Sequence, residues 1–159
     1  MIILGIDPGL ASCGWAVIEE IRDKRLEIRD CGVIKTPANI SLGERLYLSS
    51  NELEKIIKKN EPEIAAIEEI FFAKNVKTAI TIGHARGVAM LTCVKMGLKI
   101  YEFTPLQIKQ ALTGYGQADK NQVGYMVKSI LKLKQLPKDD NTVDAIAIGI
   151  CFAHSRNKL

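Results

Sequence analysis

The chain has 159 residues with 47% apolar and 25% charged, a balance that fits one globular domain (1–159) with its own core and excludes disordered, fibrous and multi-domain classes. Lys and Arg number 22 against 18 Asp and Glu, and the net charge of +4 permits an anionic partner without requiring one. No apolar run reaches the roughly 18–20 residues of a membrane span and no leader pattern opens the chain, so it reads as cytoplasmic with no membrane association; Cys13, Cys31, Cys93 and Cys151 stand apart among apolar neighbours and read as free thiols.

Residues 1–7 form a near-continuous apolar run that ends on a carboxylate, Asp7, before a Pro-Gly turn. The spacing predicts strands at 1–7, 14–20 and 26–36, joined by short turns into an antiparallel meander. Leu42, Leu46, Leu53, Ile56 and Ile57 recur at helical spacing, with Ser41 as the N-cap and Pro62 beyond the end. A strand at 64–70 returns after that helix and can pair in parallel with the first.

The segment 76–96 is apolar around most of its circumference, which predicts a deeply buried helix. Then come a strand at 97–103 and a short helix at 105–113 with Thr104 as cap and Pro105 at its first position. An amphipathic helix follows within 118–134, and a last helix covers about 141–155. A meander followed by alternating helices and strands predicts an α/β domain with a mixed five-stranded sheet covered on both faces.

Three carboxylates interrupt this apolar pattern: Asp7 at the end of strand one, Glu68 in "IAAIEEI" and Asp144 before "AIAIGI". Each alone has a structural explanation, as a turn residue, an exposed strand residue or a residue favouring the helix dipole. If strands one and four are neighbours, the three meet at one sheet edge, where clustered carboxylates repel and a cation must compensate them. Hard oxygen ligands select Mg²⁺ or Mn²⁺, and two such ions can drive phosphodiester hydrolysis. His84 and His154 read as packing or surface residues, so no histidine-based nucleophile site competes.

The chain resembles the RuvC family of bacterial Holliday-junction endonucleases, which are ribonuclease H-like. The motifs "ILGIDPG", "AIEEIFFAKN", "ARGVA" and "VDAIAI", with "QIKQALTGYG" between them, occur in the family's order over essentially the full length. The resemblance implies metal-binding, catalytic positions at Asp7, Glu68, Asn141 and Asp144. It also implies Mg²⁺ with Mn²⁺ as a substitute, two ions per site, and paired symmetric nicking of a four-way junction by a homodimer. The branch-migration proteins RuvA and RuvB are partners on the same ground.

Asn141 departs from the family pattern, which usually has an acid there; Asn keeps an oxygen ligand but gives up a charge. An alternative reading is therefore a junction-binding form with impaired cleavage, and a third is a related nuclease acting on another branched or hybrid substrate. Asp140 lies about 100° around the helix from its neighbour 141, which disfavours it as a replacement.

By the same resemblance Phe71 or Phe72 would stack on an unpaired base, Phe71 being favoured. Lys74, Lys77, Arg86, Lys109 and Lys120 would meet the DNA, mostly at phosphates. Gly83 and Gly87, four apart, either admit a second subunit or pack on this subunit's own sheet.

Overall fold

The computed structural model describes residues 1–69 and 76–156, with the backbone alone at 76 and 77. Strands β1 (Ile2–Asp7), β2 (Ser12–Glu20) and β3 (Leu26–Lys35) form the antiparallel meander. Helix α1 (Leu42–Asn60) leads to β4 (Ile64–Glu68), and α2 (Val76–Lys95) leads to β5 (Lys99–Phe103). Three helices follow: α3 (Pro105–Thr113), α4 (Lys120–Ile130) and α5 (Asp140–Ser155).

The sheet order is β3-β2-β1-β4-β5, with β4 parallel to both β1 and β5. The mixed five-stranded sheet and its central β1–β4 pair are as the sequence predicts. Ser41, Thr104 and Asp119 each open a helix with a capping box, the side chain of residue N3 returning to the cap backbone.

Strand alternation divides the core in two. Ile3, Ala16, Ile18, Ala66 and Phe103 pack with α3, α4 and α5, while Leu4, Ile6, Val17, Ala65 and Ile67 pack with Leu53 and Ile57 of α1 and Ala89 and Cys93 of α2. Helix α5 lies almost against the backbone of the central strands. A Cβ placed on Gly5 would stand 2.2 Å from the Ala145 carbonyl oxygen, and one on Gly14 would stand 2.0 Å from that of Asn141. Glycine is required at both, and the contact brings the start of α5 over the ends of β1 and β2.

Helix α2 departs from the expected deep burial. Ala85, Ala89, Thr92 and Cys93 are buried, whereas Ile80, Leu91 and Val94 are 55–60% exposed. A narrow stripe of small residues suffices to seat the helix, so Ile80, Leu91 and Val94 stay uncovered in the single chain. Gly83 and Gly87 lie on the exposed side with nothing within 4 Å of an added Cβ, so they do not pack on their own sheet. His84 is also exposed rather than buried. Among the described residues, no helix is long and apolar enough to cross a membrane, and all four cysteines are free.

Candidate active site

Asp7 ends β1 and Glu68 ends β4, each one position beyond the paired Ile6 and Ile67. The alternation that sends Ile6 and Ile67 toward α1 and α2 sends the next residue on each strand toward α5. Asp144 stands one turn into α5, next to the Ala145 whose carbonyl abuts Gly5. Gly14, over which Asn141 is seated, is the cross-strand partner of Asp7. The fold thus delivers the four residues to one end of the sheet from three different elements.

Their electrostatics is that of carboxylates held together without enough compensating charge. Burial, then the charges of Glu68 and Asp144, push the Asp7 carboxyl up to about 7 from 3.8. Burial raises Glu68 as well, with Asp144 adding to it and Lys109 opposing it. Burial also raises Asp144, against the opposing effect of Lys120. A group held this way gains from a cation at the mouth of the site.

Glu68, Asp144, Lys109 and Lys120 line one cleft of about 300 Å³, with Pro105, Ile108 and Val123 as its apolar wall. The Lys120 ammonium reaches Asp140 at 3.1 Å and Asp144 at 3.4 Å. Asp140 itself is turned outward, its side chain 76% exposed. The Asn141 amide donates from Nδ2 to the Ser12 hydroxyl at 2.8 Å, and its backbone N–H donates to the Asp139 carboxylate at 3.1 Å.

Arg86 occupies the other side of the sheet. Its guanidinium donates from Nε to the Glu68 carbonyl at 3.2 Å and is ion-paired with the Glu102 carboxylate. Phe71, Phe72 and Lys74 lie outside the described residues, as does the side chain of Lys77.

The sequence reading missed Ser12, Asp139 and Glu102. Asp139 was visible as an acid preceding a helix, the ordinary N-cap signal. Ser12 and Glu102 carry no local signal, because each acquires its partner from far along the chain.

The donor chemistry suits a hard divalent cation: three carboxylates and an amide, all oxygen ligands, carried by two strands and one helix. Among the described residues, no group of three acid, His or Cys side chains is already closed around an ion position.

Comparison with known proteins identifies the family. A sequence model described as crossover junction endodeoxyribonuclease RuvC matches residues 3–152. The RuvC of a Roseiflexus species is 51% identical over 152 residues, covering 96% of this chain and 90% of its own length. The RuvC of Clostridioides difficile is 50% identical over 159 residues, covering 100% of this chain and 93% of its own. Thermus thermophilus RuvC in complex with a Holliday junction substrate superposes with a TM-score of 0.90 at 28% identity, over 99% of this chain and 96% of that one. A yeast mitochondrial Holliday junction resolvase shares the fold at 12% identity and a TM-score of 0.68, over 98% of this chain and 80% of its own. With the family model spanning nearly the whole sequence and half its residues shared with such relatives, the chain belongs to the RuvC family of crossover junction endodeoxyribonucleases, built on the ribonuclease H-like fold.

Proposed function

We propose that this protein is a Holliday-junction resolvase, cutting four-way DNA by metal-dependent nicks during recombination and repair. The observation that carries the reading is the convergence of Asp7, Glu68 and Asp144 at one sheet end, where burial raises the pKa of each and neighbouring carboxylates raise those of Asp7 and Glu68 further. Junction DNA as the substrate follows from family membership and from the Thermus relative whose complex contains one.

Asp7, Glu68, Asp144 and the amide oxygen of Asn141 would hold Mg²⁺, with Mn²⁺ as a substitute and two ions in the full site. Bound there, such ions supply Lewis acidity toward a scissile phosphodiester and its attacking water. The chain's own contribution is placement. Asp7 and Glu68 are fixed by adjoining strands, and Asp144 by a helix seated on glycine.

Lys109 and Lys120 line the same cleft and would meet the extra negative charge that builds on the phosphate during displacement. Asn141 remains compatible with cleavage, because its hydrogen bond to Ser12 uses the amide nitrogen and leaves the oxygen as the ligand atom. No observation favours a binding-only form.

The two-fold symmetry of a junction calls for two sites, and the uncovered face of α2 is suited to a second copy. Ile80, Leu91 and Val94 are exposed along it, with Gly83 and Gly87 offering close approach. Cleavage of a synthetic four-way junction tests the reading. Paired nicks on strands of like polarity are expected with Mg²⁺ and none with chelator, and a linear duplex should remain intact. Unchanged nicking by Asp7→Asn would overturn the assignment of the site.

A further inference from the structure

We propose that Arg86 is a positioning residue for Glu68, acting from the far side of the sheet through a clamp that includes Glu102; the inference rests on the metal-site reading above and extends it. The resemblance places this arginine among the DNA contacts, but the geometry gives its guanidinium another occupation.

Strand alternation puts Phe103 with the α5 core, and so puts its neighbour Glu102 on the α2 side, where Arg86 lies. Arg86 pairs with the Glu102 carboxylate while its Nε donates to the Glu68 carbonyl oxygen at 3.2 Å. The guanidinium side chain is only 19% exposed, against 41% for its partner.

The Glu68 carbonyl lies past the last β1–β4 pair, Ile6 with Ile67, where no β1 rung restrains it. On the other side β4 and β5 make one more contact, the Glu69 N–H donating to the Phe103 carbonyl at 2.8 Å. Arg86 therefore ties together α2, the last peptide of β4 and the end of β5. Its planar fork can serve a carboxylate and a carbonyl at once, which a lysine ammonium cannot reproduce with the same geometry.

A carboxylate ligand is useful only while its backbone is held within about 0.5 Å of the productive position. Residues that orient ligands without touching the ion typically change metal affinity or activity about 10–100-fold when lost. A phosphate contact would behave differently, because a lysine would largely preserve it and the Glu102 charge would oppose it.

The test uses the full chain with Arg86→Lys, Arg86→Ala, Glu102→Gln and Glu68→Gln. Mn²⁺ binding to the protein alone is followed by electron paramagnetic resonance, and junction affinity is measured by fluorescence anisotropy in chelator. Single-turnover cleavage is then measured against Mg²⁺ concentration. Arg86→Lys and Glu102→Gln should each weaken Mn²⁺ binding about 10-fold or more and raise the Mg²⁺ requirement by a similar factor. Junction affinity should stay within about twofold of the parent.

Unchanged Mn²⁺ affinity in both variants overturns the proposal. So does a pattern in which Arg86→Ala weakens junction binding, Arg86→Lys restores it and Glu102→Gln has no effect. Glu68→Gln separates the two levels. If it abolishes Mn²⁺ binding and cleavage while the clamp variants change neither, only the positioning role fails. If it too changes neither, the carboxylate site itself fails.

Discussion

The Lys120 ammonium stands 3.4 Å from the Asp144 carboxylate and 3.1 Å from that of Asp140, so the first residue of α4 supplies a positive charge to the start of α5. That charge opposes the rise of both Asp144 and Asp7. In the proposed reaction the same ammonium faces the phosphate, where charge grows only as the bond breaks. Lys120→Ala should therefore slow single-turnover nicking about 100-fold or more, with a much smaller loss in junction affinity. Equal losses in rate and affinity would reduce Lys120 to an ordinary phosphate contact.

Asp7 imposes a pH dependence on the metal-free protein. Its carboxyl is held at about 7 in the fold against 3.8 ordinarily, so between those values the folded chain binds a proton that the unfolded chain has released. Stability from this group is therefore present at low pH, is lost as pH rises from about 4 to 7, and changes little above that range. Each pH unit of that window corresponds to about 1.4 kcal/mol; with water in an open cleft the effect should be on the order of 2 kcal/mol, or about 4–8 °C in Tm for a domain this size. Asp7→Asn should raise the Tm of the metal-free protein at pH 8 by that amount and leave it nearly unchanged at pH 4. Adding Mg²⁺ at pH 8 should stabilise the parent and do little for the variant. Calorimetry at the two pH values checks both.

Seating α5 on backbone makes Gly5 a stability determinant as well as a site determinant. A methyl group there would stand 2.2 Å from the Ala145 carbonyl oxygen and 2.9 Å from the Gly149 nitrogen, neither of which can rotate away. Gly5→Ala should cost about 3 kcal/mol, at the upper end of core overpacking. The displaced helix carries Asp144 with it, so variant protein that remains folded should also need more Mg²⁺ for cleavage. Denaturant melts alongside a Mg²⁺ titration measure the two effects separately.

Much of this was legible in the sequence because it is written in local pattern. Asp7, Glu68 and Asp144 stood out as charges where apolar residues belong, and the meander followed by alternating elements was enough to make β1 and β4 neighbours. The burial of α2 was not legible: an apolar circumference suits a fully buried helix and a half-covered one equally well, and only the fold leaves Ile80, Leu91 and Val94 uncovered. Arg86 was visible as a basic residue but its work was not. Its partner Glu102 sits on another element, and which side of β5 a charge faces depends on register rather than composition.

That exposed face leads to a prediction about assembly. Leu91 is 60% exposed in line with Gly87 and Val94, and an acid there would be buried in any interface built on α2. Leu91→Glu should convert a dimer to monomer by sedimentation velocity while leaving the melting of the isolated chain within about 0.5 kcal/mol, as for other surface changes. Paired nicking should fall to single nicks. A variant that sediments as the parent does would move the interface elsewhere.

Asn141 provides the sharpest test of the ligand set, because the expected change is a gain. Its Nδ2 donates to the Ser12 hydroxyl at 2.8 Å; with Asn141→Asp the hydroxyl can reverse its role and donate to the new carboxylate, so the local geometry is preserved. The added charge lies beside Asp139 and Asp140 and near Asp7, where like charges already repel. Without metal the variant should be less stable than the parent at pH 8 and closer to it at pH 4. With metal the balance reverses: a fourth carboxylate should lower the Mg²⁺ concentration for half-maximal cleavage about 10-fold, with unchanged junction affinity in chelator. If the Mg²⁺ requirement does not move, residue 141 is a structural tie between α5 and Ser12, and the cation is held by Asp7, Glu68 and Asp144 alone.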